Sequence, residues 1–308
     1  LLTLLFGLLL AAASAPDTTA YRALVEQDLR LATIGYRLAS ANAAFCERKA
    51  RNPAMVLHDV AQYPDTKTAF AAFAFPEPIA VAALVKGGPA DAAGIKVGDG
   101  VQAIGDDSLD LPDRAEQGPT YERIVDVKDK LAQSLAESGA VQLRLLRGTS
   151  PKTATLAPPL VCVSDFWVDT RNKLDAGADG NQVRVTTALM LFTPDDGELA
   201  AAVAHELSHN LLGHRERLKA KPGMKAVLAT EIEADRLSVW LMANAGYDPA
   251  AALRFAERYG RKTGLGIFSD GTHLRWKNRV KVMQAEIDLM QKTEKQNGLL
   301  PPPLLVGG

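Results

Sequence analysis

Residues 195–213 read Asp-Asp-Gly-Glu-Leu-Ala-Ala-Ala-Val-Ala-His-Glu-Leu-Ser-His-Asn-Leu-Leu-Gly, and the reading of the rest of the chain starts from them. Asp195, three residues ahead of Glu198, has the form of a capping box. Leu199 to Val203 are helix or core residues, and Gly213 suits a C-cap, so the stretch is expected to form one helix. Within it, His205-Glu206-Leu207-Ser208-His209 sets two imidazoles four residues apart, one turn above each other, with a carboxylate beside them. Two histidines so placed can share a divalent cation, and the carboxylate can take a proton from water. The competing reading is a buried helix with two satisfied histidines. Only five histidines occur in 308 residues, which makes a chance match to this pentapeptide uncommon.

A catalytic zinc needs three protein ligands and one open position. A third histidine six residues after the second would fall on Arg215, and on a continuous helix His214 lies about 180° around from His205. His214 is therefore not expected to be a ligand. Downstream, Glu231-Ile232-Glu233-Ala234-Asp235 sits in a segment with helical character from about residue 226 to 245. Glu231 and Asp235 share a helix face, whereas Glu233 is rotated about 200° from Glu231 and should look elsewhere. Glu231 is the candidate third ligand, and Asp235 the candidate acceptor that orients a ligand imidazole.

His-Glu-x-x-His followed by Glu-x-x-Ala-Asp resembles the HtpX-like and CaaX-prenyl-endopeptidase-like zinc metallopeptidases, peptidase family M forty-eight, over about residues 165–286. The likeness includes Asp196-Gly197-Glu198-Leu199-Ala200 ahead of the motif. It implies a mostly helical zincin domain of gluzincin type and one zinc ion per chain, with His205, His209 and Glu231 as ligands and Glu206 as general base. It also singles out Thr272-His273 and Arg279, which look like the family's Thr-His-Pro segment and the arginine after it. Leu274 stands where the family has proline, so His273 is either a transition-state stabiliser or a surface histidine; Arg279 is placed around the site, behind the ligands. Members such as HtpX carry membrane helices, so the nearer comparison is the soluble periplasmic branch that resembles BepA.

A second resemblance lies upstream. Gly87-Gly88-Pro89-Ala90-Asp91-Ala92-Ala93-Gly94-Ile95-Lys96-Val97-Gly98-Asp99, then Val101-Gln102-Ala103-Ile104-Gly105, is similar to the core of a bacterial PDZ domain, here given the span 61–158. Gly94 and Gly98 permit tight turns, Ala92 and Ala93 start a short helix, and Ile95, Val101 and Ile104 point into a small core. Strands are expected at 79–85 and 141–146 and a helix at 122–137. PDZ domains add an extended peptide, often a C-terminus, to a sheet edge. Phe75-Pro76-Glu77-Pro78 replaces the usual carboxylate loop, which leaves open whether this unit binds a peptide or is a spacer.

The fold class expected is α+β: an N-terminal helical segment over 16–60, the PDZ-like unit, a metalloprotease domain over 159–296, and a flexible Pro-rich tail over 297–308. Leu24, Leu31, Leu38 and Phe45 recur every seven residues along the first of these. The strand 182–186 alternates, and its Val183 and Val185 are candidates to meet an extended polypeptide substrate. Cys46 and Cys162 are either a disulfide or two buried thiols. Residues 1–15 read as the remnant of a secretory signal, which places the protein in an exported compartment, the periplasm or outside the cell, with no transmembrane span in the mature chain. Basic and acidic side chains number 35 and 36, with no long basic block, which excludes a nucleic-acid footprint. The function expected is zinc-dependent hydrolysis of unfolded or misassembled envelope proteins, with the PDZ unit aiding binding or regulation. The competing expectation is a non-proteolytic envelope chaperone or PDZ peptide-binding scaffold.

Overall fold

The computed structural model describes residues 17–109, 119–263 and 276–306. Its elements, in chain order, are α1 (Thr19–Ala41), β1 (Lys49–Arg51), β2 (Met55–Asp59), α2 (Thr66–Phe73), β3 (Ile79–Leu84), α3 (Pro89–Ala92), β4 (Gly100–Ile104) and β5 (Asp107–Ser108). There follow α4 (Glu122–Ser138), β6 (Val141–Arg147), β7 (Ser150–Leu156), β8 (Leu160–Cys162), β9 (Asp165–Asp169), β10 (Ala176–Ala178) and β11 (Gln182–Thr186). The chain then turns helical: α5 (Thr187–Phe192), α6 (Asp196–Leu211), α7 (His214–Ala220), α8 (Met224–Asn244), α9 (Ala250–Thr263), α10 (Trp276–Met290) and α11 (Pro303–Val306). This is an α+β architecture.

The strands from β2 to β7 build an antiparallel sheet of order β2-β3-β4-β6-β7, with β5 paired to β4, while β1 pairs with β8. Alternation along β6 puts Val141, Leu143 and Leu145 inward, where they meet Val127, Leu131 and Leu135 of the amphipathic α4. Gly94 and Gly98 have φ of +80° and +87°, so the two turns between α3 and β4 take the left-handed conformation that glycine accepts without cost. Ile95, Val101 and Ile104 are buried in the same core. The sheet begins earlier than the sequence pattern suggests. β1 and β2 lie in the stretch read as helical up to residue 60, and α1 stops at Ala41, short of Phe45. Pairing of β2 with the distant β3 decides the conformation there, and no local pattern announces it.

A second core lies around a three-stranded sheet of order β10-β11-β9. Leu31, Ile34 and Leu38 of α1 pack there with Val183 and Val185 of β11, Val203 and Leu207 of α6, Trp240 of α8 and Phe255 of α9. Burial of side chains this size contributes roughly 1.5–3 kcal/mol each. α6 is buried from Leu199 to Ser208, and its run of alanines lets neighbouring elements approach it closely. Gly35 lets α1 seat on β9: a Cβ there would lie 2.4 Å from the Phe166 ring.

Two expectations are corrected here. β11 is hydrogen-bonded on both edges, antiparallel to β10 and parallel to β9, and Val183 and Val185 are both 0% exposed. Neither the strand edge nor these side chains can meet a substrate, because both belong to the core. The tail is also docked rather than loose. Asn244 at the end of α8 donates to the Leu300 carbonyl at 2.9 Å and accepts from the Leu300 N–H at 2.8 Å, and Pro301 and Pro302 are buried before α11. Cys46 and Cys162 form a disulfide with a Cα separation of 5.4 Å, tying the segment after α1 to β8.

Candidate active site

Asp195 accepts a hydrogen bond from the Glu198 N–H at 3.0 Å and starts α6, while the Glu198 carboxylate is taken by Arg258 Nε at 2.9 Å. Two turns along, His205 Nε2 and His209 Nε2 lie 3.2 Å apart. α8 crosses beside them and delivers Glu231, whose Oε2 is 3.3 Å from His205 Nε2 and whose Oε1 is 3.5 Å from His209 Nε2. One ligand atom from each of the three residues falls within 4.8 Å of the others. In a tetrahedral site with metal–ligand bonds of 2.0–2.1 Å, neighbouring ligand atoms are about 3.3–3.4 Å apart. The two imidazole nitrogens lie close to that spacing and one carboxylate oxygen faces each of them, so the donor set fits one small divalent cation in chemistry and approximate size.

Burial alone would lower the His205 pKa, but hydrogen bonds with Asp235 and Glu231 hold it at about 9, a proton that a cation bound at Nε2 would displace. Burial, with the charge of His205 beside it, drives His209 down to about 3. Glu206 is 3% exposed, and burial raises its carboxyl to about 7, opposed by His205 and assisted by Glu231. Its Oε1 has no hydrogen-bond partner among the described residues. A buried carboxyl poised near neutrality has the acidity that suits a general base.

Behind the three donors stands a buried support. Asp235 Oδ1 lies 3.0 Å from His205 Nδ1, and Arg279 grips the same carboxylate through Nε at 2.7 Å and through Nη2. Arg279 Nη2 also comes within 3.2 Å of His205 Nδ1. A guanidinium only donates, so while the His205 Nδ1–H donates its hydrogen bond to Asp235 this approach is proximity rather than a bond. Burial would raise the Asp235 pKa, but the Arg279 charge outweighs it and holds the carboxylate ionised.

Residues that the sequence pattern passed over complete the surroundings. Gly213, at φ +62°, ends α6 and turns the chain into α7, so His214 does not follow the angle of a continuous helix. It comes to rest behind His209, with the two Nδ1 atoms 2.9 Å apart, and Glu233 reaches it from α8. The glycine was the available signal. Asn210 is the other addition. It donates to Ser164 Oγ at 3.1 Å and to the Gln182 carbonyl at 3.0 Å, and it accepts from the Gly180 N–H at 2.7 Å. These bonds lock the β10–β11 hairpin onto α6. β10 is the end strand of its sheet, and a cavity of about 390 Å³ beside it is lined by Ala178, Gly180, His209, Asn210 and His214. His273 lies outside the described residues.

Residues 165–230 match the model of Peptidase family M48, from the start of β9 through α6 to the residue before Glu231. A comparison with curated proteins finds no match. No helix among the described residues is long and apolar enough to cross a membrane. The matched segment carries His205, Glu206 and His209, and Glu231 joins them in space. The family match therefore supports a hydrolase of the metallopeptidase class, with a His/Glu cluster able to hold the metal that such enzymes require.

Proposed function

We propose that this chain is a zinc-dependent endopeptidase in which His205, His209 and Glu231 hold one zinc ion and Glu206 is the general base. The observation that carries the proposal is the convergence of one donor atom from each of His205, His209 and Glu231 within 4.8 Å of one another, set beside a buried carboxyl. When bound, zinc supplies Lewis acidity that activates water and polarises the scissile carbonyl. Glu206 takes the water proton and returns it to the leaving amine, so no covalent enzyme intermediate is needed. Asp235 and Arg279 keep the His205 ring in place and its proton on Nδ1. His273 is retained as the proposed stabiliser of the oxyanion, on the resemblance alone.

The substrate in this reading is an extended polypeptide added to the outer edge of β10, which no described strand occupies, in place of the buried β11. That requirement favours unfolded or misassembled proteins. Residues 61–158, extended upstream to include β2, are proposed to be a PDZ domain. A cavity of about 300 Å³ between α4 and the end strand β2, lined by Met55, Leu57, Lys128, Leu131 and Leu135 and closed off by residues 161–165, is the place proposed for a bound peptide. The disulfide is compatible with an exported, periplasmic setting.

The deciding experiment compares wild type with Glu206→Gln on an unfolded protein, with and without a zinc chelator. Cleavage by the wild type alone, abolished by chelation, is the expected result. Equal cleavage by both proteins, insensitive to chelation, refutes the chemistry. A wild type that never cleaves yet suppresses aggregation would favour a binding module instead.

A further inference from the structure

We infer that His214 and Glu233 form a second positioning chain for the metal site, one that fixes the ring of His209 as Asp235 fixes that of His205. The inference rests on the reading of His209 as a zinc ligand. His214 Nδ1 lies 2.9 Å from His209 Nδ1, and His214 Nε2 lies 3.0 Å from Glu233 Oε2. Glu233 is gripped in turn by Arg217, through Nη1 at 2.6 Å and Nη2 at 3.2 Å.

Counting protons shows what this chain does. An imidazole that offers its Nε2 lone pair to a cation carries its proton on Nδ1, and that N–H needs an acceptor. For His209, the acceptor within reach is the Nδ1 lone pair of His214. His214 can accept there only as the tautomer protonated on Nε2, and Glu233 receives that second proton as a hydrogen bond. Any other neutral arrangement sets two N–H groups or two lone pairs against each other. The assignment is thus unique, and it ends on a carboxylate neutralised by a guanidinium. His214 is 1% exposed, so its ring is held by packing as well as by these bonds.

The geometry also explains the spacing of carboxylates on α8. Glu231 faces the two Nε2 atoms, Asp235 backs His205, and Glu233, on another side of the helix, reaches across to α7 and backs His209 through His214. Two of the three acidic side chains set ring orientation and the third completes the donor set.

The test measures zinc affinity, by competition with a chelating indicator, for wild type, His214→Leu, His214→Asn, Glu233→Ala and His209→Ala. Cobalt-substituted absorption spectra and far-ultraviolet circular dichroism are recorded for each protein. His214→Leu keeps the bulk but removes the acceptor, and is expected to bind zinc roughly 10–100-fold more weakly with an altered cobalt spectrum. In His214→Asn the amide oxygen stands where Nδ1 stood and restores most of the affinity, the rescue that a purely space-filling role would not give. Glu233→Ala, at the more exposed end, is expected to weaken binding by about 10-fold with the fold intact. Should His214→Leu fail to fold, Glu233→Ala and His214→Asn decide the matter by the same readouts. Wild-type affinity and spectrum in both His214→Leu and Glu233→Ala overturn the inference alone. A wild type that binds no zinc, or His209→Ala binding as tightly as wild type, overturns the metal site and this chain with it.

Discussion

Glu206 and Asp235 are both buried carboxyl groups within one constellation, and their surroundings set them to different tasks. Burial raises the Glu206 pKa to about 7, whereas the Arg279 guanidinium keeps Asp235 ionised. Their substitutions should therefore fail differently. On the proposed chemistry, Glu206→Gln removes the base but no ligand, so turnover should fall by about 10²–10⁴-fold while zinc content by metal analysis stays at the wild-type level. Asp235→Ala leaves Arg279, which is 2% exposed, without its buried counter-charge, and should destabilise the fold by about 3–5 kcal/mol in a denaturant titration. The pentapeptide made Glu206 legible because neighbours in sequence are neighbours on a helix. Asp235 was legible for the same reason, four residues from Glu231 on one face. His214 was not: its place depends on the left-handed Gly213, which redirects the chain by an amount that helical angles do not give.

At the scale of elements, seating one helix or strand against another decides what each can do. The approach of α1 to β9 depends on a hydrogen atom at Gly35, since a Cβ would sit 2.4 Å from the Phe166 ring. Gly35→Ala should cost about 1–3 kcal/mol, read as a lowered urea midpoint with an unchanged slope. Three helices could be read closely from local pattern, α4, α6 and α8, which fall within a few residues of their expected limits, and β11 begins and ends where its alternation does. Sheet order could not be read. The alternation that identifies β11 as a strand is the same whether its edges are open or paired, and the parallel partner β9 lies across a loop with no marker in the sequence. The docking of the tail was hidden too, because it rests on a side-chain bracket from Asn244, some fifty residues away, rather than on any helical propensity of Pro301 and Pro302.

For the whole molecule, a metal held by His205, His209 and Glu231 would tie α6 to α8, and these two helices run through the core that α1 and α9 complete. Zinc held at a thousand times its dissociation constant should stabilise the native state by about 4 kcal/mol, visible as a drop in melting temperature when chelator is added. Losing the disulfide, by Cys46→Ser together with Cys162→Ser, should cost about 4–5 kcal/mol on the chain-entropy estimate for so long a loop. The bond spans 116 positions in sequence, and the whole six-stranded sheet with α4 hangs inside that span. A backbone nick anywhere between residues 47 and 161 would consequently yield two fragments that still migrate as one species until a thiol is added. Trimming of the suspended unit by a protease would go unseen on a gel run without reductant and would show as a pair of bands once the sulfur bridge is opened.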